Sequence, residues 1–322
     1  MKCSFAWLLS ATLSLLAFAA QSQDYPVKPI RVLVPFAPGG AVDTTARILG
    51  QKMTERLGWQ FLVENRPGGN GFIATTAAAK SAPDGYTLLM AHTGEFAVNP
   101  AVFANVPYEL ERDFVPITMV SDAPMLYLAS AQAPFNSFQD LVAAAKAKPG
   151  AIGYASAGNG SINHLAGEWL ALAAGIKLLH VPYKGGAPAA TAIAAGDVPL
   201  GVVSIPGATP HLKSGRAKVI GVTTAKRSTL DSSWSTPRDA GIPEVDASIW
   251  VGLFAPKGVP QPIIDRLNSE VRRTLDSADV QKRFADTGSE TVGMSSADFL
   301  ARIKKDAERY KAIVKAAGIK PE

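Results

Sequence analysis

Short apolar runs alternate with helix-spaced segments along the chain, and this alternation limits the fold more than any other feature of the sequence. Residues 30–36, Ile-Arg-Val-Leu-Val-Pro-Phe, read as a buried strand. Residues 43–57 follow with Ala46, Leu49, Met53 and Leu57 on one helical face, and Gly58 stops the helix as a C′ glycine does. A strand at 61–64, an alanine-rich helix at 73–80 and a strand at 86–91 complete a β-α-β-α-β order. That order predicts a parallel sheet with right-handed crossovers.

The pattern then restarts. Strands read at 117–120, 125–130, 152–156, 178–181, 198–203 and 219–223, with helices at 138–148, 162–174 and 187–195. The last two of these helices stop at Gly175 and Gly196. A strand at 249–255 and helices near 262–277, 278–287 and 296–317 close the chain. The two sheets read as nested rather than tandem. Residues 23–122 with 247–322 form lobe 1, residues 123–246 form lobe 2, and crossings near 120–125 and 245–250 form a hinge. The predicted fold class is α/β, two-lobed, each lobe a mostly parallel sheet flanked by helices. At 322 residues, 47% hydrophobic and 18% charged, the chain is long and apolar enough for two such cores.

Residues 1–22 read as a cleaved secretory leader: Lys2, an apolar run from 5 to 20, and the small-x-small triplet Ala17-Phe18-Ala19. A second cut follows Ser22, read from Ala20-Gln21-Ser22, and an uncleaved anchor is the other reading. Cleavage removes Cys3, the single cysteine, so the mature chain carries no disulfide and no thiolate chemistry. Losing Lys2 also lowers the formal charge from +5 to +4. The cations are scattered, which argues against nucleic acid, and a mildly positive surface suits an anionic ligand. A monomer is expected.

Ligands of open α/β sheets sit beyond the carboxyl ends of strands, at helix N-termini. Three such turns are glycine-rich. Residues 35–43 carry Gly39 and Gly40, which let backbone approach a ligand, ahead of a helix with outward N–H groups. Alternatively these glycines serve a tight turn, with Asp43 capping the helix or pairing with Arg47. Residues 156–161, Ser-Ala-Gly-Asn-Gly-Ser, offer hydroxyls and an amide; the other reading is a helix cap by Ser161. Residues 181–188 contain Tyr183, a wall or donor, and Lys184, which reads as a solvated lysine. Thr93 is a candidate cleft hydroxyl, and Glu95 is the acid nearest the expected site. Arg66, in the glycine cluster after the second strand, reads as structural and paired to an acid.

No catalytic or cofactor motif stands beside these turns. G-x-x-x-x-G-K-[ST], G-x-G-x-x-G after the first strand and G-x-S-x-G are all missing. His92, His164, His180 and His211 show no zinc spacing, so the sequence assigns no metal and no cofactor. Ser161 and His164, three apart, leave a secreted α/β hydrolase as the alternative; a capping serine beside a first-turn histidine is the plainer reading.

Several ordered motifs carry a family resemblance. They are Val34-Pro35-Phe36-x-Pro38-Gly39-Gly40-x-x-Asp43, Glu64-Asn65-Arg66-Pro67-Gly68-Gly69-x-Gly71 and Pro83-Asp84-Gly85-Tyr86. Gly158-Asn159-Gly160-Ser161-x-x-His164, His180-Val181-Pro182-Tyr183-Lys184-Gly185 and Trp250-x-Gly252-Leu253-Phe254-Ala255-Pro256 continue them. From Tyr25 to the C-terminus the sequence resembles the Bug family, the periplasmic binding proteins of tripartite tricarboxylate transporters. The resemblance implies a non-enzymatic protein that closes on a small dicarboxylate, tricarboxylate or aromatic carboxylate and passes it to membrane transporter subunits or a sensor domain. It maps one carboxylate onto Phe36, Ala37, Gly40 and Ala41 and the second lobe's contacts onto Ser156, Asn159 and Ser161, with Tyr183 nearby. The family often carries an acid after the strand at 198–203. Ser204-Ile205-Pro206 stands here, which disfavours an amino-acid ligand unless Glu95 compensates, and Ser204 becomes a candidate contact.

Overall fold

The structure is a computed structural model that describes residues 25–243 and 245–319. The leader read at 1–22 lies outside the described residues. Strands β1 (Ile30–Val34), β2 (Phe61–Asn65) and β3 (Thr87–His92) are parallel, linked by α1 (Ala41–Leu57) and α2 (Phe72–Ala79). A π-turn at Gly94–Val98 and two short helices, α3 (Asn99–Val102) and α4 (Leu110–Asp113), lead to β4 (Phe114–Ser130). Then come α5 (Phe138–Ala147), β5 (Gly153–Ser156), α6 (Ile162–Ala174), β6 (Leu179–Pro182), α7 (Gly186–Ala195) and β7 (Leu200–Ser204). The chain continues through α8 (Ile205–Lys213), β8 (Ala217–Val222) and β9 (Ser248–Pro256). It ends with α9 (Gln261–Leu275), α10 (Ala278–Asp286), β10 (Glu290–Thr291) and α11 (Ser296–Ala316).

The strand order is β2-β1-β3-β9-β4-β7-β5-β6, with β8 and β10 also paired to β4. The fold is the expected two-lobed α/β arrangement, but the lobes meet inside a strand. Residues 117–120 and 125–130 read as separate strands because Ser121-Asp122-Ala123-Pro124 looks like a turn. Pairing of residues 121–124 with Val251–Ser248 of β9 keeps them extended, so tertiary pairing overrides local propensity. Beyond Pro124 the same strand pairs with β7 and β8 of the second lobe.

Period-2 alternation sends neighbouring side chains to opposite cores. Val32 and Val34 join Leu49 and Met53 of α1 with Leu267 and Phe284 of α9 and α10. Leu33, between them, faces a core shared by α2, α6 and α11. In the second lobe Tyr154 enters that same core, whereas Ala155 meets Ile193 of α7 and Ala208 of α8. Thus α1, α7, α8 and α10 flank one face of the molecule, and α2, α6 and α11 the other. Helix α8 has no counterpart among the elements read from the sequence. Its Ser-x-Pro start, Ser204-Ile205-Pro206, is a helix signal, but Pro210 inside the helix masks the pattern.

Candidate functional site

A cleft of about 1620 Å³ opens between the lobes on the α1/α7/α8 face. Gly39, Gly40, Ala41, Thr44 and Thr45 line it from the first lobe, and Gly186, Ala187 and Ser204–Gly207 from the second. The crossing strands supply its floor through Ser121, Ala123, Pro124, Ile249 and Val251.

Four helices, α1, α7, α8 and α10, have their first residue in this lining, and none has a side-chain cap. Gly40 precedes α1, Gly185 precedes α7 and Ser204 precedes α8, each without a side-chain hydrogen bond to the first turn. Ser137, Ser161 and Ser295 cap α5, α6 and α11 with their hydroxyls, while α2 and α9, away from the cleft, also lack a side-chain cap. First-turn amides lack intrahelical partners, so these starts offer the cleft N–H donors, fewer at α7 and α8 where Pro188 and Pro206 have none, together with the positive ends of their helix dipoles.

The first turn is held from behind. Asp43 is buried; its carboxylate accepts from Gly39 N–H (2.9 Å), Arg47 Nε (2.9 Å) and Asn65 Nδ2 (2.9 Å). Asn65 also donates to the Phe36 carbonyl at 3.0 Å. Burial alone would raise the Asp43 carboxyl; these hydrogen bonds override it and hold it below the ordinary carboxylate range. Asp43 thus braces the turn through its pair with Arg47 and leaves the α1 amides open. Arg66 pairs with Glu64 at 2.6 Å.

Of the residues singled out in the sequence, Gly40, Ala41 and Ser204 line the cleft. Phe36 and Ala37 lie on the turn leading to it, the Phe36 ring 4.6 Å from that of His92. Thr93 is engaged elsewhere. Its buried Oγ1 donates to the Ser248 carbonyl (3.0 Å) and accepts from Trp250 N–H (3.0 Å), tying β3 to β9. Glu95 is fully buried and pairs with His92 Nδ1 at 2.8 Å, so it does not reach a cleft ligand. Burial works against charge on His92, but the Glu95 carboxylate prevails and raises its pKa.

The turn before α6 opens on the other face. Ser156 is buried, with Oγ 2.6 Å from His180 Nε2 and accepting from Gly158 N–H. Asn159 and His164 line a separate cavity of about 250 Å³ with Asn70 and Phe103. Tyr183 packs against the α7/α8 core, outside the cleft lining. Of the three glycine-rich turns expected at one cleft, those before α1 and α7 meet there, the one before α6 does not, and the α8 start joins them. Gly186 and Ala187, in the third glycine-rich turn at 181–188, line the cleft, and Ile205–Gly207 are lining residues that the sequence did not single out, although Ser-x-Pro is a visible signal.

Ser161 and His164 lack a nucleophile–base contact. Ser161 Oγ donates to the Gly158 carbonyl (2.7 Å) and accepts His164 N–H (3.2 Å), while His164 Nδ1 accepts Gly160 N–H. The His164 ring instead stacks on His180, centroids 3.7 Å apart. Both pKa values are lowered to about 4, by burial and, for His164, also by repulsion from His180. The unfolded chain takes up these protons near pH 6.5, so stability is complete above that pH and falls as pH drops toward 4. The melting temperature should fall between pH 7 and pH 4.5, and His180→Gln should flatten that slope; equal slopes in both proteins would remove the stack as its cause.

The tripartite tricarboxylate transporter family receptor profile matches residues 45–319. Protein BugT of Bordetella pertussis is 34% identical over 306 residues, covering 95% of this chain and 94% of its own length. Among solved structures, R. palustris Rpa4515 with adipate superposes with TM-score 0.81 at 32% identity, covering 93% of this chain and all of that one. MatC from Rhodopseudomonas palustris with bound malate gives 0.74 at 31%, covering 90% and 100%. With a two-lobed fold, a cleft between the lobes and a matching profile over most of its length, the chain belongs to the tripartite tricarboxylate transporter receptor family of periplasmic binding proteins.

Proposed function

We propose that this protein captures a small carboxylate in the periplasm, between α1 of lobe 1 and α7 and α8 of lobe 2, and presents it to membrane transporter subunits or a sensor. Residues 23–122 with 247–322 make one lobe and 123–246 the other, hinged where β4 and β9 cross; the segment 1–22 is the export leader. The single observation that carries this reading is the convergence of the α1, α7 and α8 starts from the two lobes on one cleft, with no side-chain cap on any of them. Relatives with adipate and malate bound support the ligand class.

Magnitudes suffice without an arginine clamp. Hydrogen bonds to a charged group contribute about 1.5–3 kcal/mol each, and each helix start adds about 0.3–1 kcal/mol. Four or five such donors offset carboxylate desolvation and leave roughly −8 kcal/mol, a micromolar complex. The test is thermal shift and calorimetry on refolded mature protein, free of co-purified ligand. At a hundredfold excess over Kd a true ligand adds about 2.7 kcal/mol of stability. A broad carboxylate panel that moves the melting temperature nowhere would end this reading.

A further inference from the structure

The wall facing the helix starts has a charge and a surface that narrow the ligand. Lys282, Asp286 and Glu290 are the charged side chains lining the cleft, two acids against one base. Lys282 is 75% exposed and already paired to Asp286 at 2.9 Å. Glu290 Oε1 accepts from Ser228 Oγ and Thr229 N–H, both at 2.8 Å, which fixes its position. Gly288, between these acids, sits against the first turn of α8: a Cβ there would lie 3.0 Å from Ile205 Cβ. The acids are thus brought up to the same end of the cleft as the donors.

A first carboxylate is compensated by the amides of the helix starts despite these neighbouring acids. A second would have no unpaired cation among the described lining residues and would meet the net negative charge that Glu290 leaves beside the Lys282–Asp286 pair, a contact that selects against it. The remaining lining is mixed: hydroxyls such as Thr44, Ser121 and Thr209 stand beside an apolar patch made by Ile249 and Val251 in the floor and by Leu230 and a half-buried Trp234 on the lobe 2 side. An aromatic ring or short alkyl body gains from such a surface, and a ring stacks on Trp234.

We infer that the cleft selects a monocarboxylate with an apolar, ring-sized body over dicarboxylates. This rests on the carboxylate reading above, and one titration series separates the two. Phenylacetate, adipate, malate and L-glutamate are titrated into the refolded mature chain by calorimetry. Phenylacetate should bind about tenfold or more tighter than adipate or malate. Trp234→Ala should weaken phenylacetate about tenfold, and Trp234→Phe, which keeps a ring and guards against a folding defect, should restore most of it. Glu290→Gln should raise adipate affinity several-fold and leave phenylacetate nearly unchanged. Adipate, malate or glutamate binding tighter than phenylacetate overturns the selectivity while leaving carboxylate capture standing. So does a folded Trp234→Ala protein with unchanged phenylacetate affinity. Binding of none of the four overturns both.

Discussion

Gly40→Leu should lose carboxylate binding by a factor of about 10²–10⁴ while the protein keeps its fold. The backbone of Gly40 is ordinary, φ −77° and ψ 170°, so any L-residue can adopt it. A Cβ added there meets only the Ala37 carbonyl, at 3.6 Å, a normal contact. Gly39 differs, since its φ of +85° strains any side chain. The leucine side chain therefore projects into open space at the cleft rim and covers the approach to the α1 amides. Loss of two charge-assisted hydrogen bonds at about 1.5–3 kcal/mol each removes roughly 3–6 kcal/mol, which sets the expected factor. Gly40→Ala should cost far less, because one methyl group leaves room for a carboxylate. Calorimetry and a melting curve on each variant check this. A Gly40→Leu protein with wild-type melting and wild-type affinity would take the first turn out of the site.

The elements are more legible in the sequence than the faces they present. Val32, Leu33 and Val34 read as one apolar run, and nothing in the run tells that Leu33 serves a different core from its neighbours. Which glycine-rich turns share a cleft depends on the side to which each helix crosses. The sequence therefore groups both the Ser156–Ser161 turn and the 181–188 turn with Gly40, whereas in the fold only the latter, at the α7 start, joins it and α8 takes the other's place. Glu95 and Thr93 follow the first lobe's third strand and look available in the sequence. Only packing reveals that one is buried against His92 and the other bonded to β9. The polar interruption at residues 120–125 reads as a break between strands, yet the chain there is extended, because β9 satisfies its backbone through the crossing.

That crossing carries a charged cluster whose disruption should be the largest stability loss in the protein. Arg302 of α11 donates to Asp306 at 2.7 Å and lies 4.0 Å from Asp122 of β4. Trp250 Nε1 donates to Asp306 at 3.0 Å, and Arg309 meets Asp246 at 3.3 Å while its guanidinium sits over the Trp169 ring of α6. The C-terminal helix thus clasps β4, β9 and the second lobe together. Asp306 is 4% exposed, and Asp122 Oδ1 is buried with no hydrogen-bond partner. Burial raises both carboxyl pKa values, and Arg302 is the leading influence holding them down. Arg302→Ala leaves the buried Asp306 and the partly buried Asp122 without that partner, a loss of about 3–5 kcal/mol. For a chain of this size the melting temperature should fall by roughly 10 °C at pH 7.5. The sign of the pH response distinguishes charge from packing. In the variant the folded-state acid pKa values rise further above the unfolded value near 3.9. The folded state then binds the extra protons, and the variant's deficit should shrink as pH falls from 7.5 toward 5. A deficit independent of pH would assign the loss to the missing Arg302 stem rather than to the buried acids.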